Sequence, residues 1–442
     1  MSDSELVSTR RLRIAQLARE APDRGLTSLA HHLDLAWMRE AYRLTRKDGA
    51  VGVDGQTAKD YAAHLDENLM ALLEKAKSGQ YHAPPVRRVH IPKGSSGATR
   101  PIGIPTFEDK LLQRAVAMVL ESVYEQDFLD CSYGFRPKRG AIMAAQRVRT
   151  AVMDLRGGTV IELDIQRFFD TLSHDHLREF VGKRIRDGVL LRLIGKWLNA
   201  GVMEQGAVTH PEAGTPQGGV ISPLLANVYL HHVLDVWFEQ EVKPRLRGKA
   251  KLVRYADDAV IVCERAEDAR RVHAVLPHRF GRFGLTLHPE KTRMVTFNRP
   301  PLRHDDDKDP PASPGSFDFL GFTLHWGRSR RGTSVVKLRT AKDRLARSVR
   351  AVLKWCRLHR HQPLAEQHRN LSQKMRGHYA YYGVTGNSLQ LQRFAYSAGK
   401  AWHYWLARRS GKAKSSWAWF NAMLGRYPLP PPRIVHSALG RA

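Results

Sequence analysis

Two apolar runs, Leu252-Val253-Arg254-Tyr255 and Ala259-Val260-Ile261-Val262-Cys263, are separated by only Ala256-Asp257-Asp258. Three residues are too few to cross a sheet, so the runs must pair as an antiparallel hairpin with two carboxylates at its tip. A third run, Thr159-Val160-Ile161-Glu162-Leu163-Asp164-Ile165, reads as a largely buried strand with an acidic end. Successive residues of a regular strand face opposite ways, so the acid pair must sit at a turn for a member to aim at the same point as Asp164. Taken singly, each acid is more often a turn residue than a catalyst. Together they supply the hard oxygen ligands that two divalent ions need in phosphoryl transfer to a 3′-hydroxyl.

The 442 residues are enough for two or three domains with real cores. Cys131, Cys263 and Cys356 lie far apart with no CxxC pair, which excludes zinc ribbons and CxxC redox chemistry and fits a reducing compartment. No apolar run approaches the roughly 18 residues of a membrane span. The polar start Met1-Ser2-Asp3-Ser4-Glu5 lacks the apolar core of a secretory signal, so an intracellular protein is expected. The net charge of +28 is concentrated in residues 321–442, which hold 24 lysines and arginines against two acids, Asp343 and Glu366. Such a cationic rear part, with six of the nine tryptophans mixed in, suits a polyanion whose counterions it can release.

Residues 1–80 read as helical, with apolar positions at Leu29, Leu33 and Trp37 and again at Leu65, Leu69 and Leu72. Strands are expected at 86–92 and 100–105, flanking a Gly94-Ser95-Ser96-Gly97 turn, followed by a helix over 107–124. Further strands are expected at 293–297 and 317–324, around a surface loop or boundary rich in Pro and Asp at 298–316. Four helices should follow, at about 340–360, 363–383, 388–409 and 415–426. In the first of them, Leu345, Val349, Val352 and Cys356 form an apolar stripe, and Arg347, Arg350, Lys354 and Arg357 form a cationic one. A merely solvated face would mix in Glu for i,i+4 pairing, so these four residues are candidates for RNA binding.

Eight motifs occur in a significant order. They are Gly52-Val53-Asp54-Gly55, Arg100-Pro101-Ile102-Gly103-Ile104-Pro105, Ser132-Tyr133-Gly134-Phe135-Arg136-Pro137, Leu163-Asp164-Ile165-Gln166-Arg167-Phe168-Phe169-Asp170, Gly214-Thr215-Pro216-Gln217-Gly218-Gly219, Tyr255-Ala256-Asp257-Asp258, Gly284-Leu285-Thr286-Leu287-His288-Pro289-Glu290-Lys291-Thr292 and Phe319-Leu320-Gly321-Phe322. From about residue 50 onward the chain resembles the bacterial group II intron reverse transcriptase/maturase family. The resemblance implies an α+β, right-hand polymerase of fingers, palm and thumb, with an antiparallel palm sheet and an α-helical basic thumb/maturase domain. It implies two Mg2+ ions on the catalytic carboxylates Asp164, Asp257 and Asp258. It also implies that Lys93 and Arg100 lie near the incoming triphosphate, that Phe169 crowds the sugar 2′ position, and that Gln217 sits beside the nucleotide. The implied partners are structured intron RNA, an RNA template with a DNA primer, dNTPs and target DNA, with no membrane.

By the same likeness, residues 1–80 are an N-terminal extension, 81–325 the fingers and palm, 326–410 the thumb/maturase domain, and 411–442 a basic tail. The segment Leu371-Ser372-Gln373-Lys374-Met375-Arg376-Gly377-His378 follows the family's thumb pattern, with Ser372 and His378 in place of the commonest Asn and Trp. No Cys/His nuclease module follows, so DNA cleavage is not expected. The leading expectation is the RNA-directed DNA polymerase of a mobile intron, cytoplasmic and nucleoid-associated in a bacterium. The alternatives are a free-standing polymerase recruited to host repair or defence, and an RNA-binding splicing scaffold without polymerisation. Carboxylates kept together against their mutual repulsion argue against the scaffold.

Overall fold

The computed structural model describes residues 2–92, 99–204, 207–209, 214, 218–300, 315–329, 331–409 and 416–437. Four helices open the chain, α1 (Asp3–Glu20), α2 (Leu35–Leu44), α3 (Ala58–Ala62) and α4 (Leu65–Ser78). The first three start on side-chain caps: Ser2 and Glu5 form a capping box on α1, Asp34 accepts from the Trp37 amide at 2.9 Å, and Thr57 and Asp60 close a second box on α3. Each such cap is worth about 1 kcal/mol. α4 stops at Gly79, whose φ of +91° only glycine adopts cheaply.

Strands β1 (Val86–Pro92) and β2 (Thr99–Ile104) pair antiparallel, and α5 (Phe107–Tyr124) follows. α5 is buried along nearly its whole length, and α1 and α2 pack on it. Next come α6 (Ala141–Asp154), β3 (Thr159–Leu163), α7 (Phe168–Thr171), α8 (His174–Arg184), α9 (Gly188–Leu198), β4 (Val202–Glu204), β5 (Ala207–Thr209) and α10 (Ser222–Leu230). α10 runs on into two π-helical turns, His231–Asp235 and Phe238–Val242. The rest comprises β6 (Ala250–Tyr255), β7 (Asp258–Cys263), α11 (Ala266–Gly281), β8 (Arg293–Thr296), β9 (Ser316–Phe319), β10 (Phe322–Arg328), β11 (Ser334–Thr340), α12 (Lys342–His359), α13 (Leu364–Tyr382), α14 (Ser388–Leu406) and α15 (Trp417–Arg426). The chain is α+β, and its described strands form three sheets of order β2-β1-β4-β5, β6-β7-β3-β8 and β11-β10-β9. β1 and β4 pair in parallel; the pairs β1/β2, β4/β5, β9/β10 and β10/β11 are antiparallel.

The chain divides into two compact units. The first holds residues 1–140, 163–261 and 270–293, and the second holds 141–162, 262–269 and 294–442. In the second unit, α12 packs on α14 around a core of Val352, Cys356, Leu371, Met375, Tyr379, Phe394 and Trp402. The Trp402 indole donates to Gln367 Oε1 at 3.0 Å, which satisfies its N–H inside that core.

The expected strand over 317–324 is corrected to a hairpin. Leu320 and Gly321 both adopt positive φ (+50° and +81°) and split the apolar run into β9 and β10. β11 completes that sheet, its buried residues alternating with the half-buried Val335, Lys337 and Arg339. Asp258 opens β7, so the turn between β6 and β7 consists of Ala256 and Asp257 alone. The expected Gly94–Gly97 turn and most of the 298–316 loop lie outside the described residues. No helix among those described is long and apolar enough to cross a membrane.

Candidate active site

Asp164 follows β3 directly, and the segment 284–292 braces it. The His288 amide donates to the Asp164 carbonyl at 2.8 Å, the Gln166 amide donates to the Thr286 carbonyl at 2.8 Å, and Ile165 bridges Leu287. Lys291 Nζ lies 3.2 Å from Asp164 Oδ2, with the two side chains 54 % and 30 % exposed. The carboxylate is therefore open to solvent on one side and held by a cation on the other.

Asp257 sits at the turn between β6 and β7, half-buried, while Asp258 begins β7 and is exposed. Ala256, just before them, takes φ +56°. The Asp257 carboxyl is pushed above its ordinary range, chiefly by burial and also by the negative charge of Asp164. Its own backbone N–H and the Arg100 and Arg254 guanidiniums oppose that shift. Asp164 and Arg100 therefore both lie within electrostatic reach of Asp257. Arg100 itself is an exposed residue of β2, in register with Ile91 of β1.

Asp164 and Asp257, both offering hard oxygens, form a donor set suited to a divalent ion. No group of three or more His, Cys, Asp or Glu is gathered around one point among the described residues. At Asp164 the neighbouring positive charge is Lys291 instead. The donor chemistry fits the group, and full ligation requires these side chains to converge further.

Phe169 lies in α7, the short helix entered through Arg167 at φ +45°. It is half-buried, whereas its neighbour Phe168 is buried and meets Phe169 edge-on at 5.3 Å between centroids and Tyr229 at 6.4 Å. Phe168 thus serves the core and leaves the Phe169 ring partly open. Gly214 (φ +96°) presses on the same turn: a Cβ there would fall 2.7 Å from the Phe169 carbonyl oxygen. The Gly214 amide donates to Leu172 O at 2.8 Å, and the buried His174 ring pairs with the Gly214 carbonyl. Gly218 approaches β2 equally closely, with a Cβ position 2.4 Å from the Gly103 oxygen. Gly214 is thus packed on the Phe169 turn and Gly218 on the strand of Arg100. Gln217 and Lys93 lie outside the described residues.

In the second unit, Arg347, Arg350, Lys354 and Arg357 are all exposed on α12, with Val352 and Cys356 buried on its other side. Asp343 reaches Arg347 at 3.6 Å, an exposed pair that leaves the face strongly positive. Ser372 and His378, where the motif departs from the commonest family residues, are both buried, and His378 stacks on Phe394 at 3.7 Å. These departures change core packing rather than the cationic surface. Of the rear tryptophans, Trp326 and Trp402 are buried, Trp355 and Trp405 partly so, and Trp417 and Trp419 are exposed.

Sequence reasoning missed Lys291 and Arg254 as site residues. Lys291 lies in the 284–292 motif with no role evident from its neighbours, and Arg254 is a charge in an otherwise apolar strand. That second anomaly was a usable signal, since a fully buried Arg needs a partner.

Comparison with known proteins matches residues 91–324 to the family described as reverse transcriptase (RNA-dependent DNA polymerase). Protein YkfC of Escherichia coli K12 is 40 % identical over 226 residues, covering 50 % of this chain and 58 % of that protein. The group II intron-encoded protein LtrA of Lactococcus lactis subsp. cremoris is 35 % identical over 244 residues, covering 53 % of this chain and 40 % of LtrA. A putative COX1/OXI3 intron 1 protein of Saccharomyces cerevisiae is 26 % identical over 387 residues, 76 % of this chain and 44 % of that protein. The chain thus spans only about half the length of these relatives. Reverse transcriptases use divalent metal ions, and the matched segment carries both Asp164 and the Asp257-Asp258 pair. With its motifs, its α+β architecture and these relatives in agreement, the chain belongs to the reverse transcriptase (RNA-dependent DNA polymerase) family, in its group II intron reverse transcriptase/maturase branch.

Proposed function

We propose that this chain is the Mg2+-dependent RNA-directed DNA polymerase of a mobile group II intron, binding intron RNA to assist splicing and reverse transcribing it during retrohoming. The observation that carries this reading is the meeting of Asp164, Asp257 and Arg100 in one electrostatic neighbourhood. Carboxylates and a guanidinium so arranged suit a nucleoside triphosphate and its metal ions. Asp164, Asp257 and Asp258 would hold the two Mg2+ ions. When bound, the ions lower the pKa of the primer 3′-hydroxyl and offset charge on the departing pyrophosphate.

The chain's own residues orient the reaction. The primer 3′-oxygen bonds to the α-phosphorus as the bond from that phosphorus to the bridging oxygen of pyrophosphate breaks. Arg100, with Lys93, draws the triphosphate towards the carboxylates, and Gln217 lies beside the nucleotide. The Phe169 ring stands where a ribose 2′-hydroxyl would go, so deoxynucleotides are preferred. Lys291 balances the charge of Asp164. Residues 81–325 act as fingers and palm and 326–410 as thumb, with 1–80 an extension and 411–442 a basic tail. The cationic face of α12 grips structured RNA, and target DNA receives the copy.

The decisive experiment combines Asp257→Asn with Asp258→Asn, which removes two charges at nearly constant volume. DNA synthesis on an RNA template should fall to background while RNA binding and splicing assistance persist, because the ribozyme supplies its own catalytic metals. Primer extension and intron splicing are measured on one preparation. Continued synthesis would overturn the assignment. Abolished synthesis, with no effect of the wild-type protein on any adjacent intron, would favour the free-standing polymerase.

A further inference from the structure

We infer that Arg254 is a positioning residue for the reaction: its buried guanidinium holds the carbonyl of Ala256 and so fixes the turn from which Asp257 projects. The inference rests on the metal-binding role proposed for Asp257. Arg254 and Asp235 are both 0 % exposed. They form a two-pronged pair, Nε to Oδ1 at 2.7 Å and Nη2 to Oδ2 at 2.5 Å. Nη1 also donates to Asn227 Oδ1 at 2.9 Å and to the Ala256 carbonyl at 3.1 Å, and Nη2 donates to Ser132 Oγ at 2.8 Å. A guanidinium has five N–H donors, and all five are used.

A buried ion pair of this kind is rarely kept for stability alone, because well-packed apolar residues of similar volume usually do as well or better. What apolar residues cannot do is hold a carbonyl in a chosen direction. Ala256 needs such a hold, since it has the left-handed φ of +56° without being glycine. Gly134 closes the other side: a Cβ on it would lie 2.3 Å from the Ala256 nitrogen, and the Gly134 carbonyl is itself held by Asn227 Nδ2 at 2.7 Å. The Arg254 backbone is anchored to the same loop, its amide donating to Cys131 O and its carbonyl accepting from the Tyr133 amide. Asp235 comes from the π-helical turn beyond α10, whose wider winding interrupts the regular helix at the point of the pair. Three distant stretches of chain, 131–134, 227–235 and 254–256, thus converge on one peptide, the one that leads into Asp257.

The test replaces the pair by apolar residues, Arg254→Met with Asp235→Leu, so that no unpaired charge is left buried. Four quantities are measured: thermal unfolding, template–primer affinity, steady-state primer extension, and binding of Mn2+, in place of Mg2+, to the substrate-free protein by electron paramagnetic resonance. The folded variant should bind template–primer as the wild type does and keep its KM for dNTP within about threefold. Its kcat should fall about 100-fold, the scale of a misplacement of about 1 Å in a reacting group, and half-saturating Mn2+ should rise about tenfold. A folded variant with kcat and Mn2+ binding within about threefold of wild type overturns the inference. So does a fall in kcat with Mn2+ binding unmoved, because Asp257 would then still be in place.

If the double variant does not fold, Arg254→Lys carries the test, since it retains the charge but loses the planar fork. A kcat lowered at least about tenfold with weaker Mn2+ binding is expected there, and unchanged values overturn the inference. Failure of both variants to fold also overturns it, by assigning Arg254 to the stability of the fold. Asp257→Asn is run in parallel. If that single change leaves synthesis intact, the metal assignment itself fails; if it abolishes synthesis while the Arg254 variants stay active, only the positioning role does.

Discussion

The two units handle positive charge in opposite ways. In the first, Arg254 has no contact with solvent, and all of its donors are spent on named partners around the Asp257 turn. In the second, Arg347, Arg350, Lys354 and Arg357 stand exposed along one helix with a single acid, Asp343, close by. A buried guanidinium can serve geometry, because its partners are fixed and the desolvation cost has been met within the fold. An exposed row can serve only something that arrives from outside. On the readings proposed above, charge inside the first unit orients and charge on the second attracts.

The comparison is tested most severely at Phe169, which belongs to the orienting region but carries no charge. Phe169→Val leaves Phe168 and Tyr229 to maintain the core and enlarges the space that the ring fills. Discrimination against ribonucleotides should drop by about one to three orders of magnitude, at roughly 1.4 kcal/mol per tenfold. The measurement is kcat/KM for a matched deoxy- and ribonucleotide pair. Unaltered selectivity would return Phe169 to a packing role and limit the orienting apparatus to the charged groups.

The attracting half is probed by neutralising Arg347, Arg350, Lys354 and Arg357 to Gln together. The four lie away from buried Val352 and Cys356, so the melting temperature should hold while affinity for structured RNA falls. For every phosphate no longer neutralised, the log–log salt slope should shrink by about 0.7 to 0.9. Titrations at several salt concentrations report the slope directly. If it does not change, RNA is gripped elsewhere on this unit.

These regions also differ in how far they could be read from sequence. The helix over 107–124 and the strand over 86–92 are found in those places, because the cap at Thr106, the helical apolar spacing that follows it and the β-branched Val86, Val89 and Ile91 are local properties. The faces of α12 were legible for the same reason: helical spacing alone sorts Cys356 from Arg357. The acidic tetrapeptide was legible as a turn between two strands, but its surroundings were not. Nothing local to Arg254 indicates that Asp235, Asn227 and Ser132 will close around it, since those partners lie 19, 27 and 122 residues away. The split of 317–324 into β9 and β10 was hidden for a smaller reason, a left-handed Leu320 that tertiary packing imposes and that residue preference would not suggest.

The smallest expected effect tests whether buried charge in the first unit is always paired. Asp109 of α5 is buried and makes no ion pair among the described residues; it accepts hydrogen bonds from Tyr81 Oη at 2.5 Å, Trp197 Nε1 at 2.7 Å and Gln113 Nε2 at 3.0 Å. Burial outweighs these donors and raises its pKa from 3.8 to about 6. Below about pH 4 the carboxyl is protonated in both folded and unfolded chains. Between about pH 4 and 6 the unfolded chain releases the proton and the folded one retains it, so the native state binds more protons and its stability declines as pH rises. Above about pH 6 both forms are ionised and the loss is complete, at most about 3 kcal/mol from a shift of roughly two units. Asp109→Asn keeps an acceptor for Tyr81 and Trp197 but cannot titrate. Its melting temperature relative to wild type should therefore climb by a few degrees between pH 4 and pH 6.5 and then level off. A difference that stays flat across that window would mean that Asp109 is ionised throughout, and that the first unit tolerates a buried charge held by hydrogen bonds alone.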